Sequence, residues 1–163
     1  MDIVLMRHGR AVERGRQEGP DEQRPLTTEG IKRLRRALPG MCQVVQRIDR
    51  VVTSPLLRSR QTAEVIADGY SVQLTELDAL APGGDPQVIT RWLAKQHDEV
   101  LLLVGHEPDL GRLASWYLTG SRESFLAMRK GAICQIHFAA RPGPAQGELR
   151  LLLTAGQLRQ IAR

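Results

Sequence analysis

Ile3-Val4-Leu5-Met6-Arg7-His8-Gly9 opens the chain with an apolar run that ends on a cation, an imidazole and a glycine. A short apolar run before a polar stretch reads as a buried strand, here over residues 2–7. Glu99-Val100-Leu101-Leu102-Leu103-Val104 reads the same way, and its unbroken hydrophobicity suits a central strand of a parallel sheet. This run also ends on a glycine and a histidine, in Gly105-His106-Glu107. A further strand over residues 49–53 stops at Ser54-Pro55 and leads within a few residues to Arg58. Ligands of open α/β sheets bind beyond the C-terminal ends of the strands. Three strands that end in basic groups therefore indicate both the fold class and the place to look for function.

Between these strands the pattern alternates. Residues 9–27 are polar and rich in Gly, Pro and charge, and read as a long loop. Thr27 or Thr28 can cap the following helix over 29–47, although Pro39-Gly40 is expected to break or end it early. A helix is expected from Pro55 to about residue 68, a short strand over 71–75, and a helix over 86–96. Pro108 to Leu118 reads as another helix, and 131–138 with 148–154 as a late strand pair. The β-α alternation predicts a three-layer α/β/α sandwich with a mostly parallel central sheet, in one domain over residues 1–163.

Composition narrows the function classes. The net charge is +5 and the pI about 9.9, but there is no concentrated basic tail. Aromatic residues are only 4%, too few for a base-stacking platform, so nucleic acid is an unfavoured partner. Cys42 and Cys134 lie far apart and form no CxxC pair, so a disulfide framework or structural zinc site is not expected. No apolar run approaches the length of a membrane span, and the N-terminal run is too short for a signal peptide, so a cytoplasmic protein is expected; a monomer is expected as well, though no residue pattern specifies it.

Arg7, His8, Arg58 and His106 should converge on one edge of the sheet. Cationic donors without an acid among them suit a tetrahedral oxyanion, and the arginine fork matches phosphate oxygens. The neutral imidazole of His8 can attack phosphorus, and nearby arginines should keep it neutral by lowering its pKa. A hydrogen bond from its other ring nitrogen to the Gly9 carbonyl would set the tautomer, and Gly9 would let the backbone approach the anion closely. His97 and His137 do not complete a metal set, so no metal is expected.

These residues, with the segments around them, resemble the histidine phosphatase superfamily, which has the phosphoglycerate-mutase-like fold. Within it they look like the short SixA-type phosphohistidine phosphatases. The matching segments are Met6-Arg7-His8-Gly9, Arg24-Pro25-Leu26-Thr27-Thr28-Glu29-Gly30, Thr53-Ser54-Pro55-Leu56-Leu57-Arg58-Ser59-Arg60-Gln61-Thr62-Ala63, Pro82-Gly83-Gly84-Asp85 and Val104-Gly105-His106-Glu107-Pro108. They run in the family's order over about residues 1–120, and Arg129-Lys130-Gly131-Ala132 continues the pattern. The resemblance implies that His8 is the phosphorylated nucleophile, that Arg7, Arg58 and His106 form the phosphate pocket, and that no metal or organic cofactor is used. Gly9, Glu107 and Arg24 are further candidates for phosphate or substrate binding, and Arg10 could line the mouth.

The chain departs from the family at one place. SixA-like sequences have a glutamate just before the Leu that leads into Pro-x-Gly-Asp, and here that position is Ala79. Asp78 and Glu76 are the nearby carboxylates that could replace it as general acid. An alkyl alcohol needs a proton to leave, whereas the imidazole of phosphohistidine can arrive already protonated on its distal nitrogen. The expected substrate is therefore a phosphohistidine in a protein, such as a phosphorelay histidine domain. The alternatives are a small phosphorylated substrate or other phosphomonoester, and a non-catalytic module that docks a phosphoprotein.

Overall fold

A computed structural model describes residues 1–16 and 18–163. Six strands form one sheet: β1 (Asp2–Arg7), β2 (Arg50–Thr53), β3 (Gln73–Glu76), β4 (Val100–Gly105), β5 (Ile133–His137) and β6 (Glu148–Leu153). Their order is β3-β2-β4-β1-β5-β6. The four strands from β3 to β1 run parallel, and β5 and β6 complete the sheet antiparallel. The long apolar run is indeed central: β4 lies between β2 and β1, in register Val51↔Leu102 on one side and Val4↔Leu102 on the other.

Alternate residues of the central strands face opposite layers. Ile3, Leu5, Leu101 and Leu103 pack beneath α3 (Pro86–Leu93) and α4 (Asp109–Thr119), through Ile89, Leu93, Leu110 and Tyr117. Val4, Met6, Leu102 and Val104 pack beneath α1 (Thr28–Val44), α2 (Leu57–Tyr70) and α5 (Ala155–Ile161), through Leu34, Met41, Ala63, Ile66 and Leu158. This is the expected three-layer sandwich. No helix among the described residues is long and apolar enough to cross a membrane.

Three elements differ from the sequence reading. First, α1 runs through Pro39-Gly40 to Val44. A mid-helix proline costs about 3 kcal/mol, but burial of Met41 and Val45 beyond it offsets that, at roughly 1.5–3 kcal/mol per side chain. Second, β3 starts at Gln73, because Ser71 adopts a left-handed conformation that ends α2. Third, α5 follows β6 where no helix was expected. Its signal is Thr154 with Gln157, a capping box whose two reciprocal hydrogen bonds are both formed.

Gly40 is where α1 and α5 touch. A Cβ there would lie 1.9 Å from the Leu158 carbonyl oxygen, a backbone atom that cannot rotate away. Gly40→Ala should therefore force the helices apart and lower Tm by about 5 °C, from roughly 2 kcal/mol of overpacking. A thermal melt followed by circular dichroism checks this.

The loop between β1 and α1 is a closed excursion. Its two legs are joined by the Ala11–Leu26 bridge, by Val12 N–H donating to Pro25 O at 2.9 Å, and by Thr27 N–H donating to Arg10 O at 2.9 Å. Thr27 also caps α1, its side chain accepting from Gly30 N–H. The loop thereby carries Asp21 and Arg24 to the C-terminal edge of the sheet, where the candidate site lies.

Candidate active site

A cavity of about 380 Å³ lies at the C-terminal ends of β1 and β4, and its lining includes Arg7, His8, Arg24, Arg58, His106 and Glu107. His8 follows β1, Arg58 is in the first turn of α2 after β2, and His106 follows β4. The parallel register carries all three to the same edge. The rings of His8 and His106 are 5.2 Å apart, centroid to centroid. His8, Arg58 and His106 are buried, at 6%, 2% and 4% exposure, so the pocket is partly shielded from water.

The backbone around His8 is held on three sides. His8 N–H donates to Gly105 O at 3.0 Å, tying it to β4, and Gly131 N–H donates to Arg7 O at 3.0 Å. Gly9 N–H donates to Thr62 Oγ1 at 2.9 Å, and the same hydroxyl donates to Arg58 O at 2.7 Å. A single threonine on α2 thus links the loop that carries His8 to the turn that carries Arg58.

His8 Nδ1 lies 2.7 Å from Gly9 O. A carbonyl only accepts, so Nδ1 carries the proton and Nε2 keeps its lone pair. The carbonyl bond has the geometry expected from the sequence. Gly9 itself has a different job from the one expected: its amide is committed to Thr62 and its carbonyl to His8, so it orients the imidazole and offers the anion no donor. Its lack of a Cβ matters for packing, because a Cβ would lie 2.8 Å from Leu34 Cδ1 on α1.

Burial is the main cause that pushes the His8 pKa down to about 3. The Gly9 bond opposes this, and His106, Arg58 and Arg7 add to it. The arginines lower it as expected, but desolvation comes first and the cations follow. His106 is pushed down to about 4, again first by burial and then by Arg58, with Asp21 opposing. Both rings are neutral at pH 7.

This has a consequence for stability. Each histidine binds a proton near 6.5 when unfolded and only at much lower pH when folded. Between those values the unfolded chain binds more protons, so stability rises with pH. The contribution is complete above 6.5 and is lost as pH falls toward 4 and then 3. Urea unfolding across this range should show that decline, and imidazole NMR signals of both rings should remain those of the neutral form at about pH 5.5.

Arg58 is fixed by Asp21, its Nη1 donating to the Asp21 carbonyl at 2.8 Å and its Nη2 to Oδ2 at 3.1 Å. Arg24 donates through Nε to Asp21 Oδ1 at 2.9 Å and through Nη1 to Val12 O at 2.7 Å, which places it on the rim. Arg7 Nη1 donates to Met128 O at 2.8 Å. His106 Nε2 lies 2.8 Å from Ser54 Oγ and 3.3 Å from Ser59 Oγ. Arg7 Nε, Arg58 Nε and His106 Nδ1 are buried without a hydrogen-bond partner in the protein. Acceptor oxygens of an anion are the chemical complement of such nitrogens.

The carboxylates are placed differently. Glu76 pairs with Arg60 at 2.9 Å on the surface, Asp78 is exposed, and neither lines the cavity. Glu107 does line it, but its Oε1 accepts from Met128 N–H at 3.1 Å, so it clasps the segment that Arg7 also holds. Burial raises its pKa. Among the described residues, no three His, Cys, Asp or Glu side chains are grouped so as to hold a metal ion. Cys42 and Cys134 are free thiols, and His137 pairs with Asp2 at 2.6 Å. Sequence reasoning gave no role to Asp21, to Thr62 or to Lys130, which also lines the cavity and lies in a quoted segment. Thr62 lies inside a quoted motif, whereas no local pattern marks Asp21 as the partner of a residue 37 positions away.

Known proteins resemble this chain in both sequence and fold. The model of the histidine phosphatase superfamily, branch 1, matches residues 3–82. Phosphohistidine phosphatase SixA of Escherichia coli is 31% identical over 120 residues, covering 71% of this chain and 73% of that protein. An uncharacterized protein of Picosynechococcus is 34% identical over 159 residues and covers 94% of both. The structure of the protein histidine phosphatase SixA complexed with tungstate superposes with a TM-score of 0.83 at 26% identity, covering 97% of this chain and 99% of that one. The α-ribazole phosphatase of Shigella flexneri shares the fold, with a TM-score of 0.73 at 18% identity over 95% of this chain and 97% of that one. The chain belongs to the histidine phosphatase superfamily.

Proposed function

We propose that this protein hydrolyses phosphohistidine in a protein substrate through a phosphorylated His8. One observation carries the reading: Nδ1 of His8 is tied to the Gly9 carbonyl, so Nε2 is the free nucleophile in a pocket with Arg7, Arg58 and His106. Tungstate, held by the SixA relative, is a tetrahedral oxyanion like phosphate, and Arg7, Arg58 and His106 line the same cavity as His8.

In the first step His8 Nε2 forms an N–P bond as the substrate's P–N bond breaks. The departing imidazole leaves neutral because its distal nitrogen already carries a proton. In the second step water attacks phosphorus, its protons pass to the phosphate and solvent, and the His8–phosphorus bond breaks. His8 leaves in the same way, since its Nδ1 keeps the proton that it donates to Gly9. Arg7, Arg58 and His106 stabilise the charge on the transferring phosphoryl group.

Neither step requires an acid at the position of Ala79. Alkyl ester substrates do require one, whereas p-nitrophenolate leaves without it, and Glu76 and Asp78 do not line the cavity, which favours phosphohistidine over a serine or sugar phosphate. The test compares rates on a phosphohistidine protein, a phosphoserine peptide and p-nitrophenyl phosphate. Phosphohistidine should be hydrolysed at least about 100-fold faster than phosphoserine, the usual worth of a missing general acid. Equal rates on the two would overturn the assignment.

A further inference from the structure

Beside the phosphate pocket lies a second cavity of about 560 Å³, which shares Arg7 and Lys130 with it. Its wall combines Arg10 after β1, Arg33 on α1, Arg129 and Lys130 before β5, and Arg159 on α5. No acidic residue lines it. Arg33 pairs with Glu29, but among the described residues Arg10, Arg129, Lys130 and Arg159 have no carboxylate partner. Gathering like charges without counter-charges works against the folded state. Lys130 registers this, its pKa lowered by burial and then by Arg7, Arg24 and Arg10. The catalytic steps above use none of these outer cations.

We propose that this cleft binds an acidic segment of the protein that presents the phosphorylated side chain. The proposal rests on the protein-substrate reading above. Four structural segments supply the cations, and Arg10, Arg33, Arg129 and Lys130 are exposed. Spread and solvated donors suit a row of carboxylates better than one compact second phosphate, which favours a few donors converging on one point. The lining has no aromatic side chain for stacking bases and only Leu34 as a large apolar one, so an acidic peptide fits better than an oligonucleotide.

The test uses the full chain and its R129Q/R159Q variant, changed only at positions that line the second cavity and not the phosphate pocket. Binding of fluorescein-labelled hexaglutamate is followed by anisotropy at low ionic strength. The wild type should bind it, and the variant should bind about tenfold more weakly, the sum of two exposed charge contacts. Turnover of p-nitrophenyl phosphate should stay within about twofold, because that substrate is too small to reach the cleft. No binding by the wild type, equal binding by the variant, or displacement of the peptide by a lower concentration of oligothymidine would overturn the proposal. Absence of p-nitrophenyl phosphate turnover in the wild type would instead count against the His8 mechanism, and the peptide result would still decide the cleft.

Discussion

His8→Ala should lower hydrolysis of every substrate by at least about 10⁴-fold and abolish the acid-labile phosphoenzyme. Removing a covalent nucleophile forfeits the intermediate itself, so the loss belongs in kcat. The fold should survive, because the contacts that hold the loop are made by backbone: His8 N–H to Gly105 O, Gly9 N–H to Thr62 and Gly131 N–H to Arg7 O. Rapid alkaline quench with radiolabelled substrate reads the intermediate directly, and acid treatment of the same sample should release the label, since a phosphohistidine survives alkali and is lost in acid. If the alanine variant still turns over near the wild-type rate, the two-step mechanism is wrong.

Arg58→Ala should lower kcat by about 10²–10³-fold, the usual loss when one preorganised donor to a developing oxyanion is removed. Lysine should restore little, because it cannot reproduce a fork fixed at both ends by Asp21. Stability should move the other way or not at all. Arg58 is a cation at 2% exposure, and burial lowers its pKa, which means that the fold works against its charge. Asp21 would not be stranded, since Arg24 and Arg14 still pair with it. An unchanged or raised Tm beside a large loss of kcat separates a catalytic role from a structural one. A large fall in Tm would mean that Arg58 chiefly holds the loop.

The sequence made the parallel strands and their basic termini legible because both signals are local. Unbroken apolar runs mark buried strands, and the residue that ends each run must lie at the sheet edge. The antiparallel pair β5–β6 was readable for the same reason. What escaped depended on contacts distant in sequence. Gly40 does not end α1, because the helix packs backbone to backbone against α5. Asp21 is indistinguishable from any loop carboxylate until the loop between β1 and α1 folds it against α2. The lowered pKa of His8 was legible in direction and in its smaller cause, the arginines, but not in its largest, since cations can be counted from sequence and burial cannot. Glu76 and Asp78 were close to the right position in sequence, but the first is held on the surface by Arg60 and the second faces solvent.

The strand order also decides which segment joins the two halves of the site. β1 and β2 supply His8 and Arg58, yet they are not neighbours; each pairs with β4, which lies between them. His8 and Arg58 both lie in about the first third of the chain, but nothing in the sheet joins their strands except residues 100–105. Joining of the two strands and arrival of the second imidazole are therefore one event, because the strand that joins β1 to β2 leads directly into His106.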